Sequence, residues 1–405
     1  MNPSILSLLL FLVLANFHCA FGQDRKLPLH EVKFSDEIEE ALLNKQLSES
    51  SAAYFYTYIG KYRQALNQYE LKLDWGLDSL AREDSLRFLD YQLIDPFVYL
   101  EEKTKTEQMV IISEAHHKPQ HRVFTRKLLK TLYQNGFRYL GLETLMPSYG
   151  DTTKFLMDTQ LHQRKYPLNS PITGFYTREP QMGNLVREAL DLGFELFAYE
   201  STTKDIDRDL QQALNIERFL ANRPKAKILI HCGWYHAIES DYPKRKKDHY
   251  LAYHLKERMG IDPLTIYQDA LSEKTTIKAS PYYPLVKGAR MGLLVNKEGQ
   301  VFNGNGTSKH FDIFLYHPPN KYLRNRAHWL FEIEENQLVE VKKQGIEKDQ
   351  YPILVKAILT NEEAAAVPLD QIELESEEDQ TALVLPRGNY QIILTTKNTK
   401  IDSYS

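Results

Sequence analysis

The sequence predicts an α/β protein. Its largely parallel sheet with flanking helices is preceded by a helical N-terminal segment and followed by a β-rich C-terminal domain. Three observations predict this. Between Met109 and about Gln268, short apolar runs alternate with amphipathic helical patterns. Those runs lack the apolar–polar alternation of half-exposed strands, as expected of parallel strands covered on both faces. Beyond about Lys287 the helical period disappears and short β-rich runs follow one another.

The elements follow in chain order. Ile5 to Ala15 is an apolar run broken only by Ser7. It is too short to span a bilayer and has the length of a secretory-signal core. Ala20 and Gly22 are small residues placed for cleavage before Gln23, although Met1 to Ser4 carry no Lys or Arg. Phe17 and His18 are bulky for a lipid-attachment site, so lipidation at Cys19 ranks below plain secretion. The expected location is therefore outside the cytoplasm: periplasmic, cell-surface or secreted. No later stretch is long and apolar enough for a transmembrane helix.

Glu31 to Lys103 reads as mainly helical. Ala52 to Trp75 reads as one tyrosine-rich helix, with Tyr56, Ile59, Tyr62 and Leu66 at helical spacing, and Asp95-Pro96 reads as a helix break. Strands are expected at Val110 to Ile112, Tyr139 to Leu142, Glu195 to Tyr199, Lys227 to Ile230 and Leu264 to Tyr267. The intervening helices are Pro119 to Asn135, Leu185 to Leu192, Asp205 to Asn222 and His249 to Met259, with Gly136, Gly193 and Gly260 as stops after three of them. In the third of these helices Ile206, Leu210 and Ala213 are expected to face inward. Thr144 to Pro180 is long, irregular and rich in Pro and Gly, the character of a lid or binding loop. Further β runs are expected at Gly292 to Val295, Asp312 to Tyr316, Leu330 to Ile333, Leu338 to Val341, Ile353 to Leu359, Ala382 to Leu385 and Tyr390 to Leu394, with Glu373 to Asp379 an acidic loop. The expected division is a signal peptide at 1–22, a helical region at 23–108, an α/β domain at 109–287 and a β-rich domain at 288–405.

Composition narrows the partners. A net charge of −4 leaves no nucleic-acid footprint, and the Lys244 to Lys247 cluster reads as a solvated helix start. After cleavage Cys232 is the sole cysteine, which rules out an internal disulfide and a cysteine-rich zinc site. The expected partner is a small-molecule or peptide substrate, with cell-surface association open.

Ligands of an open parallel sheet bind beyond the carboxyl ends of its strands. The first strand is followed by Ser113, Glu114, Ala115, His116 and His117, then His121 and Arg122; the second by Glu143; the third by Glu200 and Ser201; the fourth by His231, Cys232, Gly233, Trp234, Tyr235 and His236; the fifth by Gln268 and Asp269. Strands far apart in sequence thus deliver glutamates and histidines to one edge. Glu114, His116, Glu143, His236 and Arg122 form the expected core, with His117, His121, Glu200 and His231 in support. His162, His249, His254, His310, His317 and His328 read as packing histidines. A carboxylate beside an imidazole fixes its tautomer and raises its basicity, which suits acid–base catalysis. The same types can hold a divalent metal such as zinc or manganese, here through Glu114, His116, Glu143 and His236. Arg122 could clamp an anion or an oxyanion. No Gly-rich phosphate loop follows the first strand, and Ser113 lacks a nucleophile elbow.

The run Val110-Ile111-Ile112-Ser113-Glu114-Ala115-His116-His117, the following helix, and Tyr139-Leu140-Gly141-Leu142-Glu143 resemble the superfamily of erythromycin esterases, ChaN haem-uptake proteins and Tiki-type proteases. The resemblance covers the central domain only. Glu114 and His116 fall on its Gly-Glu-x-His-like turn, with Ser113 in place of Gly, and Glu143 on the glutamate of its second strand. Ile228 to His236 resembles its later strand-Gly-x-x-His segment, with His236 on the second histidine. The resemblance implies either hydrolysis, with His116 or His236 as base, or haem or metal binding without turnover. A third reading makes the α/β domain a degenerate scaffold for a cell-surface interaction protein.

Overall fold

The computed structural model describes residues 33–70, 80–148, 154–242, 248–275, 281–304, 310–333, 335–397 and 400–404. The expected leader, Cys19 and the Lys244 to Lys247 cluster lie outside the described residues. Ser35–Leu43 (α1), Glu49–Tyr58 (α2), Tyr62–Glu70 (α3) and Arg82–Phe88 (α4) open the chain. The stretch read as one tyrosine-rich helix is therefore split. The break is Gly60, whose φ of +72° favours glycine, and a side chain there would meet the Arg326 guanidinium and lie 2.7 Å from the Gln371 carbonyl. Gln92–Ile94 (β1), which carries no apolar run, precedes Pro96–Lys103 (α5). Asp95-Pro96 starts this helix instead of breaking one: Asp95 Oδ1 accepts from Phe97 N at 2.8 Å and Pro96 fills the first turn.

The repeating unit follows: Met109–Glu114 (β2), Gln120–Gln134 (α6), Phe137–Leu142 (β3), Leu161–Arg164 (α7), Pro180–Leu192 (α8), Glu195–Phe197 (β4), Arg208–Leu220 (α9), Lys227–Gly233 (β5), Leu251–Met259 (α10) and Leu264–Leu271 (β6). Gly292–Val295 (β7) and Ile313–Tyr316 (β8) complete an eight-stranded sheet ordered β1-β7-β8-β6-β2-β5-β3-β4. From β8 to β4 every neighbouring pair is parallel, while β7 runs antiparallel to both β8 and β1. Alternate residues of β2 serve opposite faces. Val110 and Ile112 pack with α6 and α8, whereas Met109 and Ile111 pack with α9 and α10. The expected parallel sheet covered on both faces is thus observed. Of the expected inward set Ala213 is buried, Leu210 is half-buried, and Ile206 lies before α9 and is exposed.

Two expectations about the β runs are corrected. Gly292 to Val295 and Asp312 to Tyr316 do not belong to a separate β unit, because β7 and β8 extend the large sheet and bury Leu293, Ile313 and Leu315 in its core. A short apolar run reads alike whichever sheet accepts it. Leu330 to Ile333 is not a strand either: His328–Glu332 is a 3₁₀ turn. The remainder comprises Tyr322–Leu323 (β9), Arg326–Ala327 (β10), Gln337–Val339 (β11), Ile353–Leu359 (β12), Asp370–Leu374 (β13), Leu383–Leu385 (β14), Tyr390–Thr395 (β15) and Lys400–Tyr404 (β16). β13-β12-β15-β16 form an antiparallel sheet, and β11 pairs with β14. β13 takes in the start of the expected acidic loop. Its Glu373 is buried, accepting from Ser35 N at 2.8 Å and pairing with Lys61 Nζ at 2.7 Å. The C-terminal sheet thereby holds the N-terminal helices.

Gly60→Ala is expected to destabilise the protein by about 1–3 kcal/mol, since it adds both backbone strain and overpacking. Urea unfolding measures this. Wild-type stability in the variant would show that the α2–α3 break tolerates a side chain.

Candidate functional site

Glu114 ends β2 opposite Gly233 of β5. It shares strand parity with Val110 and Ile112, which sends its carboxylate under the sheet edge toward α6 and α8. Only 1% of it is exposed, and a charge so placed persists only if paired and hydrogen-bonded. Arg122, from the first turn of α6, donates from Nε to Oε2 and from Nη2 to Oε1, both at 2.7 Å. His116 Nδ1 lies 2.7 Å from Oε1, and His231 Nε2 lies 2.8 Å from Oε2. Burial by itself would raise this carboxyl, but the Arg122 charge and these hydrogen bonds outweigh it and hold the group well below the ordinary range. Arg122 also donates from Nη1 to Glu179 Oε2 at 2.9 Å and from Nη2 to the His116 carbonyl at 2.9 Å. With 1% exposure it is closed to a ligand. The expected anion clamp is therefore corrected: Arg122 orients Glu114.

A second set faces the first across Gly233. Glu143, just past β3, accepts from Gly233 N on Oε2 and from Arg208 Nη2 on Oε1 at 2.5 Å. His236 Nε2 is 3.6 Å from Glu143 Oε1, and its Nδ1 is hydrogen-bonded to Asp209. Arg208 Nη1 lies 3.1 Å from His236 Nε2, and Arg208 Nε donates to Glu200 Oε1 at 2.9 Å. Burial would raise Glu143, yet the charges of His236, Arg208 and His116 and the Gly233 amide bring it down to about 2. Burial would likewise lower His236, but Asp209 and Glu143 prevail and raise it above the ordinary imidazole value. A side chain on Gly233 would lie 2.6 Å from His116 Nε2 and 3.3 Å from Glu143 Oε2, so only glycine lets the two sets approach. Glu114, His116, Glu143 and His236 thus converge.

Aromatic rings wall this space. Tyr176 stacks on His116 at 4.0 Å, Trp234 meets it edge-on at 4.6 Å, and Tyr54 of α2 does so at 6.2 Å. His117 diverges from His116, as adjacent residues do, and stacks on Tyr69 at 3.8 Å. Tyr176 arrives from the long Thr144 to Pro180 segment, where Thr144 Oγ1 accepts from Tyr176 N at 2.7 Å.

The other expected site residues take different places. His121 turns away: its Nδ1 accepts from Ala115 N at 3.0 Å and its ring stacks on His317 at 4.9 Å. His231 is buried beneath Glu114, with Nδ1 3.2 Å from Thr125 Oγ1. Glu200 holds Arg208 and Gln212. Asp269 pairs with Lys118 at 2.9 Å and Lys274 at 2.6 Å, apart from the two histidine sets. Ser113 is buried and donates to the Ile266 carbonyl. Burial pushes the Cys232 thiol well up, so neither residue has the character of an exposed nucleophile.

Sequence reasoning missed Arg208, Asp209, Glu179, Tyr176 and Tyr54, and gave no role to Trp234 although it follows the fourth strand. Asp207-Arg208-Asp209 carried a signal: Asp207 caps α9, and the first turn after a parallel strand lies beside the ligand edge. Tyr54 and Tyr176 carried none.

The expected metal set does not fit a divalent ion. Both Glu114 oxygens are filled by Arg122 and two histidines, and Arg208 lies against Glu143 and His236. A cation there would face a guanidinium at hydrogen-bond range. Among the described residues no three of His, Cys, Asp and Glu gather in a metal-holding arrangement.

Fold and site together define an α/β protein with two carboxylate-held histidines at the carboxyl ends of a parallel sheet. No protein-family model and no curated protein matches the chain. Three solved structures illustrate the likenesses at the level of structure. The type III effector HopBA1 aligns at 13% identity and a TM-score of 0.35, over 57% of this chain and 99% of its own. ChaN of Campylobacter jejuni, described with cofacial haem binding, aligns at 10% identity and 0.34, over 57% and 98%. The C-terminal region of Pasteurella multocida toxin, described with a thiol-protease-like catalytic triad, aligns at 13% and 0.30, over 58% and 30%. Likenesses at these scores carry no argument about chemistry.

Glu143 generates a pH prediction. A depressed carboxyl contributes stability that is present above its unfolded value near 4.5 and lost as pH falls toward its folded value near 2. Glu143→Gln is expected to lose less stability than wild type between pH 6 and pH 3, by roughly 2 kcal/mol. Urea titrations at the two pH values check it, and parallel losses in both proteins would contradict the placement of charge described here.

Proposed function

We propose that the chain is an exported hydrolase whose acid–base chemistry is carried by His116 and His236. One observation carries this reading: each imidazole commits Nδ1 to a carboxylate and keeps Nε2 toward the space around Gly233 and Glu143. Glu114 is held as a carboxylate and only accepts, so His116 Nδ1 is its donor. The neutral tautomer then carries its lone pair on Nε2, the atom placed to take a proton from water. The water oxygen attacks the substrate carbonyl. His236 has the raised value, so its imidazolium is the proton donor to the departing alcohol or amine. Protonated Nε2 turns to Glu143, and Arg208 then keeps to Glu200 and Glu143. Arg208 also supplies positive charge beside the carbonyl oxygen as it becomes anionic. Export rests on the leader-like sequence at 1–22. The ester or amide class rests on acid–base chemistry without an activated serine or thiol.

Haem binding without turnover is the second reading. Tyr54, Tyr69, Tyr176 and Trp234 around the two adjacent histidines are the observation that favours it, because flat faces suit a macrocycle.

A panel of ester and peptide substrates, with haemin titration in parallel, separates the two. Hydrolysis is expected, unaffected by EDTA. His116→Asn and His236→Asn should each lower kcat at least ~100-fold with the far-UV circular dichroism intact. A Soret band at one haem per chain with no turnover would sink the hydrolase, as would undiminished kcat in both variants.

A further inference from the structure

Glu179 is a buried carboxylate that the proposed chemistry does not use. It is 0% exposed and precedes α8, whose first turn it caps by accepting from Met182 N at 2.9 Å. The same oxygen accepts from Arg122 Nη1 at 2.9 Å, and the other oxygen, Oε1, is buried without a hydrogen-bond partner. A helix cap needs no charge, since Ser, Thr or Asn serve as well. Burial raises this carboxyl above its ordinary value, against the pull of Arg122 and the Gln181 and Met182 amides, so an acidic residue in a fully enclosed cap position, in contact with a guanidinium already doubly bonded to Glu114, calls for another account.

Building on the hydrolase reading, we propose that Glu179 is a positioning residue for His116, acting through Arg122: the one guanidinium is shared by two carboxylates, so that Glu114 keeps enough negative charge to support the imidazole. The geometry sets the direction of the effect. Arg122 spends Nε and one Nη2 bond on Glu114, Nη1 on Glu179 and a further Nη2 bond on the carbonyl of His116 itself. Without the Glu179 charge the guanidinium would act on Glu114 alone. The carboxylate would then offset a proton on His116 less well, and Nε2 would become a weaker base.

The other ionisable groups around this chain are few. His116 faces Glu114, Glu143 and the phenols of Tyr176 and Tyr54. The Arg122–Glu179 pair faces the phenols of Tyr58 and Tyr62, with Arg178 beyond Tyr58 and Arg326 beyond Tyr62. Burial raises both phenols, so they stay neutral when the histidines titrate. His231 is hydrogen-bonded to the second Glu114 oxygen, and the charge seen by His116 from this side is set by Glu114 with its partners Arg122 and His231, and by Glu179 behind Arg122.

Glu179→Gln tests the proposal. It keeps the side-chain length and an oxygen for the cap and for Arg122, and its amide nitrogen takes the place of the unpartnered oxygen, so the charge is removed without a change of size. The His116 imidazole midpoint, followed by NMR in the full-length chain and assigned by its absence in His116→Asn, is expected to fall by about half to one pH unit. The acid limb of the pH–rate profile should move with it. Glu179→Asp keeps the charge with a shorter reach, so it should lose thermal stability while holding the midpoint closer to wild type than Gln does. A cap with no electrical role predicts the same stability loss in Asp but an unmoved midpoint in Gln. That result, or a midpoint unmoved in both, overturns the proposal. If the wild type hydrolyses nothing, the hydrolase reading fails, while the NMR midpoint still decides the charge coupling by itself.

Discussion

The structure depends on one enclosed ion, the Glu114 carboxylate. An isolated carboxylate in a protein interior would take up a proton, so its ionised state requires compensation from every side. Arg122 provides the countercharge, and the two histidines fill what the guanidinium leaves. The partners come from different elements: Arg122 from α6, His231 from β5, and Glu179 behind Arg122 from the cap of α8. Holding the charge therefore fixes how α6, α8 and β5 meet at the end of β2. Removing one partner of such a buried pair typically costs about 3–5 kcal/mol, because the other charge stays buried alone. The price of folding around Glu114 is offset only while the set is complete, and a complete set also gives His116 a single tautomer.

Gly233 turns that constraint into a site. Its lack of a side chain admits His116 from one side and Glu143 from the other, while its amide donates to Glu143. The two histidine–carboxylate pairs are chemically unequal. Glu114 is enclosed and saturated by donors, so His116 rests on a fixed negative charge. Asp209 sits at the first turn of α9 and also accepts from Leu251 N at 2.8 Å, while Arg208 beside it remains partly exposed. The same residue types therefore divide into an inner pair held rigidly and an outer pair beside a guanidinium that can exchange partners. Groups whose environments differ in this way divide acid and base roles.

The sheet was legible because each strand declares itself locally. Val110 to Ile112 and Ile228 to Ile230 are apolar without interruption, and Gly136 and Gly193 close two of the helices between them. Glu114, His116, Glu143 and His236 were legible for the same reason, since they follow recognisable strands and a parallel sheet brings strand ends together. Their partners were not. Asp209 and Glu179 lie in or before helices, where an acidic residue reads as an ordinary cap, and only the folded chain shows what the cap faces. His121 stands five residues from His116 but at the helix start, where its ring faces back to Ala115 and His317. Adjacency in sequence misled there because a turn separates the directions of the side chains. β7 and β8 were misassigned for a related reason: hydrophobic period specifies a strand and not its neighbour.

The parts outside the sheet were also read as separate units, and the side chains argue that they act on the site. Tyr54 and Tyr69, from α2 and α3, reach His116 and His117 respectively. Those helices are in turn fastened to the C-terminal sheet. Gln371 donates to the Tyr58 carbonyl at 3.0 Å, Glu373 N donates to the Ile59 carbonyl at 3.2 Å, and Arg326, paired with Asp370 at 2.6 Å, reaches the Gly60 carbonyl at 3.2 Å. Arg326 and Asp370 are both wholly buried, so their pairing resists loosening in the way the Glu114–Arg122 pair does. A physical line thus runs from β13 through the α2–α3 break to the aromatic wall around the inner histidine. The helical and β-rich regions carry none of the proposed proton-transfer groups, yet they hold the helices from which Tyr54 and Tyr69 approach the two adjacent histidines.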